Sequence, residues 1–226
     1  MKRGKGLIVW VLLVSMLTAG CGIQRVQETD NLVELGTLQK GVYRSTFLGI
    51  QFAPADWRIL TAEDLQGNLR VARAQLEGSA LQKELKNLVQ IVDMQAASSD
   101  DLMTANIIYT KKEQKFWSPD KITDDDTAMN AVLEEQETLI SAYEEQGISI
   151  RSVEKKKVTL AETQRTGILL SGSFQQVPCY ILQIYEQDLG DYSAVITMTS
   201  FGEDRTEEIA GMFEILTPEQ EEAPQE

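Results

Sequence analysis

The side chains that could carry chemistry in this chain are two cysteines and many carboxylates, with no imidazole to assist them. The 226 residues include 35 Asp and Glu, two Cys and no His. Without histidine, Ser-His-Asp and Cys-His catalysis cannot operate, and the common zinc sites lose a frequent ligand. Cys179 lies inside the apolar run 177–181, which predicts a buried thiol rather than a nucleophile. The remaining chemistries are modification of the other cysteine, cation binding by carboxylates and hydrolysis by a carboxylate pair.

The other cysteine, Cys21, follows a stretch with the order of a bacterial lipoprotein signal. A basic start within residues 1–5 precedes an apolar run over 7–17 and small residues at 19–20. The stretch resembles the lipobox, with Thr18 where Leu is more common. The resemblance implies cleavage before Cys21 and transfer of a diacylglyceryl group, with palmitate-type chains, to its sulfur.

The apolar run over 7–17 is too short for a membrane span, since about 20 residues are needed to cross a bilayer. A plain secretory signal is the other alternative, and it would leave the position of Cys21 a coincidence. Two acyl chains are enough for stable attachment. The sequence therefore predicts a chain held on the cell membrane by its N-terminal lipid, on the extracytoplasmic face.

The charge of the chain excludes some partners. The formal net charge is −14, and all 35 acidic residues follow Cys21, against 18 of the 21 basic ones, so the part beyond residue 20 carries −17. Such a chain repels nucleic acid and anionic lipid surfaces. We expect no nucleic-acid partner, and a protein partner in the cell envelope instead.

The composition divides the chain into four parts. A signal peptide over 1–20 is followed by the lipidated cysteine and a flexible tether over 21–40. A single α+β globular domain is predicted over 41–216. The Pro- and Glu-rich residues 217–226 predict an acidic disordered tail.

Within the domain, hydrophobic periodicity predicts strands and helices in alternation. Strands are expected at 42–44, 48–52, 57–60, 102–110, 148–160, 165–174, 177–187 and 191–201. Helices are expected from Thr61 to Leu76, at 79–92, at 124–146 and at 205–213. Helices inserted among hairpin-linked strands indicate an antiparallel sheet with helices packed on it.

The opening of the domain, residues 41–57, carries a family resemblance. It is similar to a recurring opening in uncharacterised lipoproteins of Firmicutes, although Ser45 replaces the usual Asn. The matching positions are Tyr43, Leu48, Gly49, Ile50, Phe52, Pro54, Trp57 and Thr61. The motif and the order of elements also resemble the PsbP-like fold, which includes DcrB-like lipoproteins. The resemblance implies an α/β/α sandwich with a binding or accessory role, and it supplies no catalytic residues.

Three stretches are candidate sites. Phe116 and Trp117 lie in a predicted loop, where they would either anchor a partner or hold the loop against the following helix. Asp120 and the aspartates at 124–126 would bind a hard cation or, as we favour, cap that helix. The lysines at 155–157 would meet phosphate or an acidic partner, or protect a strand edge, which we favour. No metal and no cofactor are predicted.

These observations favour a non-enzymatic, lipid-anchored domain that binds a protein or small ligand. One alternative is an envelope hydrolase using two carboxylates, which requires a cleft where they converge. The other is a purely structural spacer in the envelope.

Overall fold

The computed structural model of the protein describes residues 33–68, 90–111, 125–134, 136–190 and 192–216. Eleven strands and four helices lie in these ranges. Every strand pair is antiparallel, as expected from the sequence. None of the helices in these ranges has the length and apolar character needed to cross a membrane.

Seven of the strands form a large sheet in the order β4-β5-β6-β10-β9-β8-β7. Its strands are β4 Trp57–Thr61, β5 Gln90–Ser98, β6 Met103–Lys111, β7 Ile148–Leu160, β8 Thr163–Phe174, β9 Val177–Leu189 and β10 Tyr192–Phe201. The last four are consecutive hairpins, so this half of the sheet is a meander.

The other four strands form a small sheet in the order β1-β2-β3-β11. These strands are β1 Thr37–Gln39, β2 Val42–Ser45, β3 Ile50–Phe52 and β11 Phe213–Ile215. The helices are α1 Ala62–Asn68, α2 Asp125–Glu134, α3 Gln136–Glu144 and α4 Thr206–Ala210. The small sheet therefore joins strands from both ends of the domain.

Each face of the large sheet has its own hydrophobic core. On one face, Tyr43, Phe52 and Phe213 of the small sheet pack against buried residues of β5, β6 and β10. On the other face, α2 and α3 contribute Met129 and Tyr143 to a second core over β7, β8 and β9. The expectation of an α/β/α sandwich was wrong in this respect: in the described part of the chain, a second sheet packs on the first face.

The strands with regular alternation were predicted almost to the residue. β7 was expected at 148–160, which is where it lies, and β6, β8, β9 and β10 differ by one or two residues at their ends. Thr61 directly precedes α1, and its backbone N–H donates to Asp64 Oδ2 at 3.2 Å, which is half of a capping box. The predicted helix over 124–146 is found as α2 and α3, with residue 135 outside the described ranges.

Three strands were not predicted. β1 and β11 have only three residues each, too few to show alternation, and β1 lies within the stretch 21–40 predicted as a tether. β5 includes Val92, which was assigned to a helix over 79–92, so that assignment was wrong. The cause is a β-bulge: the register shifts between Val92 and Met94, so Asp93 is an extra residue and Ile91 and Met94 both enter the core. Apolar residues three apart imitate a helical stripe.

The lysines at 155–157 lie on β7, an outer strand of the large sheet. Lys156 Nζ lies 2.9 Å from Asp204 Oδ2 and 3.1 Å from Glu207 Oε1, which connects this edge to α4. A register shift marks a second bulge at Arg151. Charge and a bulge both discourage pairing with another strand, so the favoured interpretation as edge protection fits the structure.

We expect Gly172→Ala to destabilise the domain. A Cβ at this position would collide with the Ser149 carbonyl oxygen and lie 3.0 Å from Ile150 Cα, both in the backbone of β7. Because that backbone is held in the β7–β8 ladder, we expect a loss of about 1–3 kcal/mol in the free energy of unfolding. Urea unfolding measures it, with the neighbouring Ser171→Ala as control, expected to change by less than about 0.5 kcal/mol. Equal effects of the two substitutions would contradict the packing argument.

Candidate binding surface at the end of the large sheet

A carboxyl group lies buried between the two sheets. The bulge in β5 turns Asp93 towards the small sheet, and its side chain has no exposed surface. Tyr43 Oη donates to Asp93 Oδ2 at 2.5 Å, and the Gly36 backbone N–H donates to Asp93 Oδ1 at 2.9 Å. The hydroxyls of Ser45 and Tyr109 lie 3.4 Å apart beside this pair. Residues from the small sheet and from β5 and β6 therefore meet at one buried polar cluster.

Burial controls the proton affinity of this cluster. Burial raises the pKa of Asp93 above its ordinary value of 3.8, although hydrogen bonds from Tyr43, Gly36 and Tyr109 act in the opposite direction. The pKa values of Tyr43 and Tyr109 are raised by their own burial and by the nearby Asp93. A raised carboxyl pKa is one mark of an active site. Here its partners are structural groups within the core, so the cluster joins the sheets.

Exposed apolar side chains collect at one end of the large sheet, where several turns meet. Leu102 is 45% exposed and Val177 is 44% exposed. The Phe201 backbone N–H donates to the Leu102 carbonyl at 2.9 Å, and the Gly202 N–H donates to the Pro178 carbonyl at 2.8 Å. These bonds bring three turns together. We call the resulting surface the end strip, which consists of Leu102, Phe174, Val177, Pro178 and Phe201.

Carboxylates surround the end strip. Asp100 precedes Leu102 by two residues, and hydrogen bonds from the Ser98 hydroxyl and the Leu102 N–H lower its pKa, so it is ionised at neutral pH. The cations at this end already have acidic partners. Arg58 pairs with Asp101 at 3.1 Å, and Arg205 pairs with Glu208 at 2.6 Å. The surface is therefore apolar with an acidic surround.

Cys179 lies beside the end strip but beneath the surface. It is opposite Phe201 in the sheet register and belongs to the core under α2 and α3. Burial raises the pKa of its thiol to about 12. The expectation of a buried, unreactive thiol is confirmed.

The other residues singled out in the sequence are not brought together by the described part of the chain. Cys21, Phe116, Trp117 and Asp120 lie outside the described residues, as does Asp124. Within the described ranges, no three His, Cys, Asp or Glu side chains converge as a metal site requires. The end strip itself was not predicted. Its signal is an apolar residue directly beside a turn, in Asp-Asp-Leu and in Gln-Gln-Val-Pro.

Comparison with known proteins gives one solved structure to report. No protein-family model and no curated protein matches the chain. The chain is similar to the solution structure of cyanobacterial PsbP (CyanoP) from Synechocystis sp. PCC 6803, with 11% sequence identity and a TM-score of 0.42. The match covers 88% of this chain and 99% of that one.

We expect Asp93→Asn to remove a pH-dependent part of the stability. Because the folded state raises the pKa of Asp93, its contribution is full below about pH 3.8 and is lost as the pH rises through the raised folded-state value. The amide has no such proton to lose. The free energy of unfolding of the wild type should therefore fall relative to that of the variant over this window and run parallel above it. Urea unfolding across a pH series measures the difference.

A second variant checks the cause. Tyr43→Phe removes the 2.5 Å donor to the carboxylate, so it should enlarge the loss at neutral pH by about 1.5–3 kcal/mol. If the Asp93→Asn and wild-type profiles run parallel at every pH, the buried carboxyl does not titrate as stated.

We expect Cys179 to resist alkylation in the folded protein. The thiolate is the reacting form, and a thiol with a pKa of about 12 is almost entirely protonated at pH 8. Iodoacetamide should label Cys179 only when urea unfolds the chain, with the labelled peptide identified by mass spectrometry. Complete labelling without urea would show that the thiol is accessible.

Proposed function

We propose that this protein is an extracytoplasmic lipoprotein, held on the cell membrane by lipid at Cys21, whose domain is a non-enzymatic binding or accessory module for a protein partner. The observation that carries the binding role is the end strip. Its large side chains face water at the meeting point of three turns, where their exposure contributes nothing to folding.

The chemistry of the end strip indicates the kind of partner. Exposed apolar patches with a polar surround are typical of protein-binding sites. The carboxylates around this one, together with the net charge of −14, favour a partner that presents an apolar side chain among lysines or arginines. Complementary charge would speed the encounter and select the partner, while burial of Leu102 and Val177 would supply the affinity.

The anchor is supported by the order of the first 21 residues alone. A bacterial, Firmicutes-type lipoprotein with a PsbP-like, DcrB-like domain is the relationship we propose on the opening motif at 41–57. On the extracytoplasmic face the tether would leave the domain free to meet envelope proteins.

No observation in the described residues favours the hydrolase. Such an enzyme needs two converging carboxylates, one with a raised pKa. Asp93 has the raised pKa, but the groups that act on it are Tyr43, Gly36 and Tyr109. A spacer, in turn, has no use for an exposed apolar strip.

Crosslinking in the native envelope, read by mass spectrometry, tests the proposal. We expect the wild-type protein to give a dominant protein partner. The double variant Leu102→Gln/Val177→Gln should lose this crosslink because it makes the end strip polar without disturbing the core. Cys21→Ser should move the protein out of the membrane fraction.

The matched control is Leu38→Gln/Ile215→Gln, which changes two side chains of similar exposure, 40% and 47%, on the small sheet. It should keep the partner. Loss in both double variants, or in neither, would contradict binding through the end strip. Membrane retention of Cys21→Ser would contradict the anchor independently of binding.

A further inference from the structure

A row of polar side chains crosses the middle of the large sheet. Gln95 of β5 lies opposite Asn106 of β6, Asn106 lies opposite Thr197 of β10, and Thr197 lies opposite Gln183 of β9. Directly opposed residues share a face, so the four side chains form one continuous row. We call it the amide row.

The amide row is in an unusual place for polar groups. None of its four residues is more than 6% exposed. The row lies on the face that α2 and α3 cover over β7 and β8, where the side chains are mainly apolar. Thr104 lies two residues before Asn106 on β6, on the same face, and is also buried. Burying amides and hydroxyls costs free energy unless hydrogen bonds compensate for it.

The two ends of the row differ in how well they are satisfied. Gln183 is held at both atoms: its Nε2 donates to Tyr143 Oη at 2.9 Å, and its Oε1 accepts from Tyr185 Oη at 2.7 Å. Asn106 Oδ1 is also buried, and it accepts no hydrogen bond from any described residue. A buried carbonyl oxygen without a donor is destabilising, so a donor from outside the chain would be favoured there.

From this geometry we propose that Asn106, with Thr104 and Thr197, binds a small, neutral polyhydroxy molecule of the sugar or cyclitol type. A carboxamide oxygen accepts an O–H, and threonine hydroxyls both donate and accept, so together they match adjacent hydroxyls on one ligand. Charged ligands find no counter-charge in the row, because its members are all uncharged. The nearest cation in register on this face, Arg58 opposite Ala97, already pairs with Asp101.

This site is separate from the end strip and does not depend on the proposed partner. It would make the domain responsive to a solute as well as to a protein. Asn106 would provide the main acceptor, while Gln183, fixed by its two tyrosines, would hold the end of the row in place.

The test is titration of the full-length protein in detergent with D-glucose and with myo-inositol, followed by amide NMR. We expect saturable shifts at the Asn106 side-chain NH2 and at Thr197 with at least one of the two at millimolar concentration. The charged analogue gluconate should give no such shift. Thr197→Val keeps the shape of the side chain and removes one hydroxyl, so it should weaken binding about tenfold.

Asn106→Leu removes the acceptor and should abolish the shifts. If that variant does not fold, Thr197→Val still decides the question. Shifts that are unchanged in Thr197→Val would overturn the site. So would no saturable shift with either compound, for instance because a single water molecule satisfies Asn106 Oδ1. Crosslinking to a partner through the end strip is unaffected by either result.

Discussion

A buried carboxyl group joins the two sheets of this domain, and much of the fold depends on how it is held. Asp93 accepts a hydrogen bond from Tyr43 on the small sheet and another from Gly36, just before β1. No cation of the described chain is among the groups that act on its pKa. The carboxyl is therefore stabilised by directed donors alone. Those donors must stay in place, which fixes the small sheet relative to the large one.

The bulge that presents Asp93 also shapes the core around it. It lets Ile91 and Met94 face the same core, although they are three residues apart. Gly36 packs so closely on the Tyr43 ring that a Cβ at position 36 would collide with it. A single inserted residue thus sets the register of β5, the position of β1 and the polar connection between the sheets.

The sequence foretold the parts of the fold that follow simple periodicity. β7 to β10 alternate apolar and polar residues over ten or more positions, and only pairing as long strands satisfies that pattern. β5 was missed because its bulge breaks the alternation.

The candidate sites were harder to predict than the strands. Thr104 and Asn106 alternate with Ala105 and Ile107, so they read as a solvent-facing side, whereas both are buried. Whether an alternating polar position meets water or a second layer is decided by elements distant in sequence. The end strip depends on which turns meet, and that too is a property of the assembled sheet.

The pairing of β3 with β11 has a consequence for the order of folding. β7 to β10 are sequential hairpins whose contacts are local, so they lose little chain entropy on forming and we expect them to form early. The small sheet is different, because Ile50 pairs with Ile215 from the opposite end of the domain. Strands made first must wait for the strand made last. During that interval the apolar face of the large sheet that the small sheet covers is open, and the chain is then most exposed to aggregation and proteolysis.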